Sequence, residues 1–171
     1  MDFKSLLANI PSGIEKELII REVGNSERQF SSLLNLALND KDPVGWRAAW
    51  ILDGAAEVKP GLVPKHIPQI VHKLPSIKSS GTIRSLLRML CRYNIPEEEQ
   101  GLLIDLCFKY MVSELYPVAV KVHAMQIIYN HCLLYPELKD ELRTVIEDQV
   151  SNNSVGFMAR GRRIIRQLER L

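Results

Sequence analysis

The stretch Asp42–Pro75, DPVGWRAAWILDGAAEVKPGLVPKHIPQIVHKLP, predicts a helix, a tight break at a Pro-Gly pair, a second helix and a second break. Pro43 suits the first turn of a helix, where the N–H that proline lacks would have no partner. Trp46, Ala49 and Trp50 recur at offsets of three and four, which places them on one face of that helix. The stretch is therefore a pair of helices with an apolar face.

The same plan returns along the chain at a spacing of 37 residues. The first helices of the successive pairs start at Pro43–Trp46, Ser80–Ile83, Pro117–Val120 and Ser154–Phe157. The second helices keep this spacing in two series, namely Ser26, Val63, Gln100 and Glu137, and Leu34, Val71, Phe108 and Val145. A period of about 20–50 residues is typical of stacked helix pairs, each too thin to bury its apolar face without neighbours. A helical bundle with accidental spacing is the alternative, and we favour the repeat.

Helix pairs of this length resemble HEAT or armadillo-like repeats. The resemblance rests on Pro43, on Trp46–Trp50, on Val63–Leu74 and on their later copies. It implies an all-α fold, a right-handed superhelix of about four helix pairs. We expect a single domain over residues 1–171, with repeats at 10–40, 43–75, 80–114 and 117–151 and a capping helix at 154–171. The resemblance concerns architecture and transfers no functional residues to this chain.

Local signals predict how some helices begin. Ser12 is a candidate N-cap, and Glu15 three residues later completes a capping box. The buried stripe of the helix that follows is expected to consist of Leu18, Ile19 and Val23. Pro68 lies where a second helix should be regular, so we expect that helix to kink or to start late.

Composition and charge narrow the class of protein. Of the 171 residues, 46% are apolar, which is enough for the core of one domain. The net charge of +2 gives no argument for nucleic-acid binding by itself. The N-terminal residues lack the apolar core of a signal peptide, and no apolar run approaches the ~18 residues of a membrane span. We therefore expect a cytoplasmic protein without a membrane partner.

Motifs that carry chemistry are sparse in this sequence. Cys91, Cys107 and Cys132 lie in predicted helices without Cys-x-x-Cys spacing, so we expect thiols in a reducing cytosol and no zinc site. No phosphate-binding loop, dinucleotide glycine pattern or His-Glu-x-x-His motif occurs. The sequence accordingly predicts no enzyme, no cofactor and no metal.

The charges of the C-terminal half are segregated between first and second helices. Residues 97–114 hold five acids and one lysine, and residues 137–148 hold five acids and two bases. In HEAT-like repeats the second helices line the concave face, so the resemblance implies an acidic inner surface in this half. Such a surface would suit a basic peptide and repel phosphate backbones. Alternatively, helices of neighbouring repeats pair their charges and the field cancels.

These patterns predict a non-enzymatic protein–protein interaction or scaffold module. Its partner would be another protein or a peptide, and a basic one would suit the acidic helices. Side chains from successive second helices would form the contact surface. The candidate binding residues are Lys65, His66, Glu98, Asp105, Lys109, Asp140 and Glu141.

The last helix supports two further hypotheses. Five arginines occur between positions 160 and 170. The candidates for binding an anion or a nucleic acid are Arg160, Arg162, Arg163 and Arg166. Phe157, Ile164 and Leu168 instead favour a capping helix with a solvated polar face. In another hypothesis the chain is a regulatory subunit of a larger assembly, held by this helix, and the apolar stripe would then be exposed.

A sharper form of nucleic-acid binding is base excision. DNA-alkylation-repair glycosylases of the HEAT-like class use an Asp, a Trp and an Arg, and the similarity to them rests on Trp50, Asp53 and Arg88. It implies that a tryptophan stacks on the lesion and that Asp53 stabilises positive charge at the sugar. Against it, basic residues are not concentrated on the second helices, and Trp46 and Trp50 at i, i+4 are more often core between repeats.

Overall fold

The computed structural model describes residues 2–9, 13–150 and 154–171, and the candidate cap Ser12 lies outside them. These residues form ten α-helices and no strand. The helices are α1 Phe3–Ala8, α2 Gly13–Gly24, α3 Glu27–Asn39, α4 Val44–Val58, α5 Ile67–Lys73, α6 Ser80–Leu90, α7 Glu97–Val112, α8 Val118–Cys132, α9 Leu138–Val150 and α10 Val155–Leu168. The predicted all-α class is confirmed, whereas the exact period of 37 residues and the right-handed superhelix stay predictions.

Serine side chains start several of these helices. Ser26 accepts a hydrogen bond from the backbone N–H of Gln29 at the start of α3, and Ser154 caps α10 in the same way. The cap of α6 is Ser79, whose hydroxyl accepts from the backbone N–H of Thr82 at 3.3 Å, one residue before the expected start. Each cap satisfies an N–H that has no partner inside the helix.

The proline-rich segment before α5 delays the start of the helix, as predicted. The chain forms short 3₁₀ turns at Pro60–Leu62 and Pro64–His66, and α5 begins only at Ile67. Pro68 then lies in the first turn of α5, where a missing N–H leaves no hydrogen bond unmade.

The structure divides into two compact units, Met1–Pro96 and Glu97–Leu171, called here the N-terminal and C-terminal units. In the N-terminal unit α4 is central and packs against α1, α2, α3 and α6. Phe30, Leu34 and Ile51 belong to its fully buried core. The expectation of a single domain with repeats at the stated bounds stays a prediction.

In the C-terminal unit α8 packs against α7, α9 and α10. Leu103, Met125 and Ile128 are fully buried between these helices. Helix α7 also contacts α9, and α9 contacts α10. Helices α7 and α9, which carry most of the acidic residues of this unit, are therefore neighbours.

The expected position of Leu18 is wrong, because this side chain is 61% exposed. Ile19 and Val23 are buried as expected, and α2 also buries Ile20. A side chain on Gly54 of α4 would place its Cβ 2.5 Å from Ile20 Cδ1, so α4 closely approaches α2 at this face. The approach of α4 therefore selects the buried face of α2, and Leu18 lies outside that face.

Candidate interaction surface

Seven exposed carboxylates lie on the neighbouring helices α7 and α9. We call this set the acidic surface, and it consists of Glu97, Glu98, Asp105, Asp140, Glu141, Glu147 and Asp148. The buried faces of the two helices fix its position. Leu103 and Cys107 of α7, and Leu142 and Ile146 of α9, are all buried. The carboxylates are therefore held on the solvent side of two packed helices.

No carboxylate of the acidic surface lies within 4 Å of a basic side-chain nitrogen in the part of the chain that the structure describes. The ion pair between α9 and its neighbour α10 joins Arg143 to Glu169, at 3.9 Å. Both of its side chains are largely exposed, so it contributes little stability. The described carboxylates of this surface are therefore not directly paired with bases of neighbouring helices.

The helix dipole explains the positions of only some carboxylates of the acidic surface. Glu97 and Glu98 lie in the first turn of α7, and Asp140 and Glu141 lie in the first turn of α9. There the positive end of the helix dipole favours them. Glu147 instead lies in the last turn of α9, as does Asp148, where the dipole disfavours negative charge by about 0.3–1 kcal/mol each. These last two residues do not stabilise their helix.

Five of the seven candidate binding residues lie in the C-terminal unit. They are Glu98, Asp105, Lys109, Asp140 and Glu141, and all five are exposed. Lys109 is one helical turn beyond Asp105, so an exposed positive charge interrupts the acidic stretch of α7. Whether these residues bind a partner stays a prediction.

The other two candidates, Lys65 and His66, lie in the N-terminal unit and contact α3. Lys65 forms an ion pair with Glu27, and its hydrogen bond and charge lower the pKa of that carboxyl group. The His66 ring stacks on Phe30, with ring centroids 5.5 Å apart, and its Nε2 lies 3.4 Å from Ser31 Oγ. Burial lowers the pKa of His66. Both side chains are therefore engaged within their own unit.

The N-terminal unit also contains a four-residue charge cluster that the sequence analysis missed. We call four residues the ion network. They are Asp53 and Glu57 of α4, Arg88 of α6, and Arg92, which follows α6. Arg88 donates to Asp53 Oδ2 at 2.5 Å and to Glu57 Oε1 at 3.0 Å. Arg92 donates to Asp53 Oδ1 at 2.7 Å and to Glu57 Oε1 at 3.3 Å. The signal in the sequence is an offset of 35 residues between Asp53 and Arg88, repeated between Glu57 and Arg92.

The ion network argues against the base-excision hypothesis. The structure does bring Asp53 and Arg88 together, but Asp53 is 2% exposed and both of its carboxylate oxygens accept from guanidinium groups. A carboxylate that two arginines already neutralise has little charge left to stabilise a sugar cation. Trp50 is half-buried, with Lys16 Nζ 4.1 Å from its ring centroid, and it lies 6.1 Å from the Trp46 ring.

The arginines of α10 are mostly exposed. Arg162, Arg163 and Arg166 point to solvent, and Arg160 is half-buried with its Nε shielded from water. Arg166 Nε donates to the backbone oxygen of Arg162 at 3.3 Å. These candidates for anion binding are thus accessible, apart from Arg160.

The apolar stripe of α10 is buried, which fits a capping helix. Phe157 and Ile164 are 0% exposed and Leu168 is 5% exposed. Gly161 lies so close to α9 that an added Cβ would be 2.7 Å from Ile146 Cγ2. The hypothesis of a regulatory subunit held by this stripe required it to be exposed, so that hypothesis loses its supporting feature.

Metal sites and membrane-spanning helices are two further features that a chain of this kind could contain. No group of three His, Cys, Asp or Glu side chains within the described ranges is placed to hold a metal ion. No described helix has the length and apolar character that crossing a bilayer requires. The cytoplasmic location stays a prediction.

Comparison with known proteins identifies a family. A family model described as a HEAT repeat domain matches residues 4–168. No curated protein and no solved structure matches the chain. The matched segment spans both compact units, from α1 to the end of α10.

Proposed function

This chain belongs to the HEAT repeat domain family, and we propose that it is a non-enzymatic interaction module whose acidic surface binds a basic segment of a partner protein. The observation that carries the proposal is the set of seven exposed carboxylates without basic partners in the described chain. Two of them, Glu147 and Asp148, oppose the dipole of their own helix. A basic ligand would give these charges the partners that the chain does not.

Binding on this surface is electrostatic in character. Arginine guanidinium groups match carboxylates in paired hydrogen bonds, and opposite charges speed the encounter of the two molecules. Each exposed pair contributes only about 0–1 kcal/mol, so several must form together. We expect a dissociation constant on the order of micromolar to tenths of a millimolar, and a strong dependence on salt.

The test is fluorescence anisotropy with a labelled peptide of alternating arginine and serine. We expect the full chain to bind this peptide at about 20 mM salt and roughly tenfold more weakly at about 200 mM salt, because ions screen exposed charges. A peptide of alternating glutamate and serine should not bind at either salt concentration. Absence of binding to the basic peptide at low salt would overturn the proposal.

Matched variants locate the binding surface. Asp105→Asn combined with Asp140→Asn and Glu141→Gln should abolish most of the affinity, because it removes three of the seven carboxylates. Glu141→Gln alone should weaken binding a few-fold. Glu17→Gln makes the same chemical change at an exposed glutamate of α2, in the N-terminal unit, and should leave affinity unchanged. Equal weakening by the two single variants would mean that only net charge matters.

Nucleic-acid binding is the second candidate, and one observation favours it: Arg162 and Arg163 are exposed and without a carboxylate partner in the described chain. The same anisotropy assay with a labelled DNA duplex tests it. Tight, salt-sensitive binding that is lost on Arg162→Glu with Arg163→Glu would support this candidate. Base excision is disfavoured because Asp53 is enclosed by Arg88 and Arg92.

A further inference from the structure

Helix α10 and the turn that follows it carry a set of exposed arginines. The arginine face consists of Arg162, Arg163, Arg166 and Arg170, all exposed. On the opposite side the helix buries Phe157, Ile164 and Leu168, and Ser154 caps its start. The packing of α10 therefore directs its arginines toward solvent, as the packing of α7 and α9 does for the carboxylates of the acidic surface.

The chain does not satisfy the arginine face internally. None of its guanidinium groups lies within 4 Å of a carboxylate oxygen among the described residues. The ion pair between α9 and α10 uses the minority charge of each helix, because Arg143 belongs to acidic α9 and Glu169 follows basic α10. The exposed carboxylates of α9 and the arginine face therefore remain available to a second molecule.

The surroundings of α10 disfavour an extended polyanion as the ligand. Helix α9 packs against α10 and exposes Asp140, Glu141, Glu147 and Asp148. A nucleic acid would bring a continuous line of phosphates close to this unit, and those carboxylates would repel it. A ligand with a few carboxylates on a helix brings less negative charge near this unit, so the repulsion is smaller.

The acidic surface of a second copy of this chain is a ligand of that kind, because its carboxylates lie on helices. Arg162 and Arg166 lie one turn apart on α10, about 6 Å along its axis at the rise of an α-helix, and Arg170 follows in the turn after the helix. On α9 the pairs Asp140–Glu141 and Glu147–Asp148 are seven residues apart, or about 10 Å. The exposed faces of α10 and α9 thus carry rows of opposite charge, each spread over one to two helical turns.

We propose that the arginine face of one copy docks on the acidic surface of a second copy of this chain. The inference rests on the proposed function, because it names one occupant of that surface. The contact pairs unlike faces. A head-to-tail arrangement leaves a free face at each end and allows chains longer than dimers, whereas a two-fold arrangement pairs both faces within one dimer. A basic partner protein then competes with α10 of another copy, so ligand binding and self-association exclude each other at each acidic surface.

Sedimentation velocity tests the proposal over protein concentrations of about 10 to 300 µM, a range that suits weak exposed ion pairs. At about 20 mM salt we expect the weight-average mass to rise with concentration to at least about 1.5 times the monomer value, and at about 300 mM salt to stay near it. The monomer mass is 19.5 kDa. A chain that remains monomeric at low salt over the whole range would overturn the inference.

Charge-reversal variants identify the surfaces in contact. Arg162→Glu with Arg166→Glu removes the arginine face, and Asp140→Lys with Glu147→Lys removes part of the acidic surface. Each variant alone should be monomeric. An equimolar mixture should form dimers, because the first variant keeps its acidic surface and the second keeps its arginine face. A mixture that stays monomeric would contradict the proposed contact.

Two controls complete the experiment. Arg21→Glu with Arg28→Glu makes the same change at two exposed arginines of the N-terminal unit and should leave the association unchanged. A single chain carrying both reversals should associate again, since its charges remain complementary. Circular dichroism verifies that every variant is folded.

The failure of this inference is distinguishable from the failure of the proposed function. If the wild-type chain binds the basic peptide but stays monomeric, the self-association is wrong and the proposed function stands. If it neither binds the peptide nor associates, both are wrong. If the basic peptide binds and also dissociates the oligomers, both are supported and the competition is demonstrated.

Discussion

The two compact units use charged residues in opposite ways. In the N-terminal unit, acids and bases meet across neighbouring helices, as Asp53 does with Arg88 and Arg92, and as Glu27 does with Lys65. In the C-terminal unit, like charges lie together on exposed helix faces, with carboxylates on α7 and α9 and arginines on α10. The same kind of helix packing therefore supports charge pairs between helices in one unit and, in the other, exposed faces of like charge.

The difference is possible because each unit is stabilised by its own apolar core. Phe30 in the first and Phe157 in the second are fully buried, and neither unit depends on its exposed charges for a core. A buried carboxylate such as Asp53 must have partners, since an isolated charge is costly away from water. Exposed carboxylates such as Glu141 are solvated and can lack partners, so they remain available for a ligand.

The largest expected effect concerns the ion network. We expect Asp53→Ala to lower the free energy of unfolding of the N-terminal unit by about 2–3 kcal/mol, because two arginines lose their shared carboxylate. Trp46 and Trp50 are the two tryptophans of the chain, so tryptophan fluorescence in urea reports on this unit. Glu141→Ala is the matched control and should change stability by less than about 0.5 kcal/mol.

This prediction also sharpens the comparison between the units. Far-UV circular dichroism follows the helices of both units, whereas the fluorescence follows one. If Asp53→Ala and Glu141→Ala lower the free energy of unfolding by the same amount, charge pairing does not distinguish the units as proposed.

The second prediction concerns the attachment of α10, which positions the arginine face. Gly161→Ala should lower the free energy of unfolding by about 1–2 kcal/mol, because its Cβ would be 2.7 Å from Ile146 Cγ2. Gly101→Ala makes the same change inside α7, where nothing lies within 4 Å, and should raise it by about 0.5–1 kcal/mol. Urea unfolding followed by circular dichroism measures both, and the same sign for the two variants would contradict the close packing of α10 on α9.

A smaller effect of opposite sign is expected at the acidic surface. Glu147→Gln should stabilise the chain by about 0.3–0.5 kcal/mol, because it removes a negative charge from the last turn of α9 and keeps a good helix former. Thermal unfolding at low salt should show an increase in Tm, and the gain should shrink as salt screens the charge. A decrease in Tm would mean that Glu147 serves its own helix, and the carboxylate would no longer require a functional explanation.

The smallest expected effect is the dependence of stability on pH, to which one histidine of each unit contributes. His131 is 4% exposed and its Nδ1–H donates to Ile127 O at 2.8 Å. Burial lowers its pKa below the usual 6.5, as it does for His66. The unfolded chain therefore binds a proton at a higher pH than the folded chain, so stability is present above pH 6.5 and is lost as the pH falls below it.

Two variants separate these contributions between pH 7.5 and pH 5. His131→Gln should flatten the loss of stability in the circular dichroism signal, and His66→Gln should flatten it in the tryptophan fluorescence. An unchanged pH profile in either variant would show that the corresponding histidine does not titrate differently in the folded chain.

The helices were predictable from the sequence because they depend on local signals. Apolar residues at helical spacing, and breaks at proline, glycine and serine, place most helices, and the late start of α5 followed from Pro68. The exposed positions of Asp105 and Glu141 also follow from this periodicity, since they lie opposite the apolar stripe of their helices.

Contacts between helices were less predictable because they depend on how one helix lies against another. Leu18 was expected in the core with Ile19 and Val23, but α4 approaches α2 at Ile20 and leaves Leu18 outside the buried face. The pairing of Asp53 with Arg88 needs the register between α4 and α6, which no local pattern gives. For the same reason, the contact of His66 with Phe30 could not be foreseen.

The most direct test of the account is a titration of the ¹⁵N-labelled full chain with the basic arginine–serine peptide, followed by amide NMR shifts at low salt. The account predicts that the largest shifts lie in α7 and α9, with the N-terminal unit unaffected. Shifts concentrated around the ion network or on α3 and α5, or no shifts at all, would contradict the claim that the acidic surface is the binding surface.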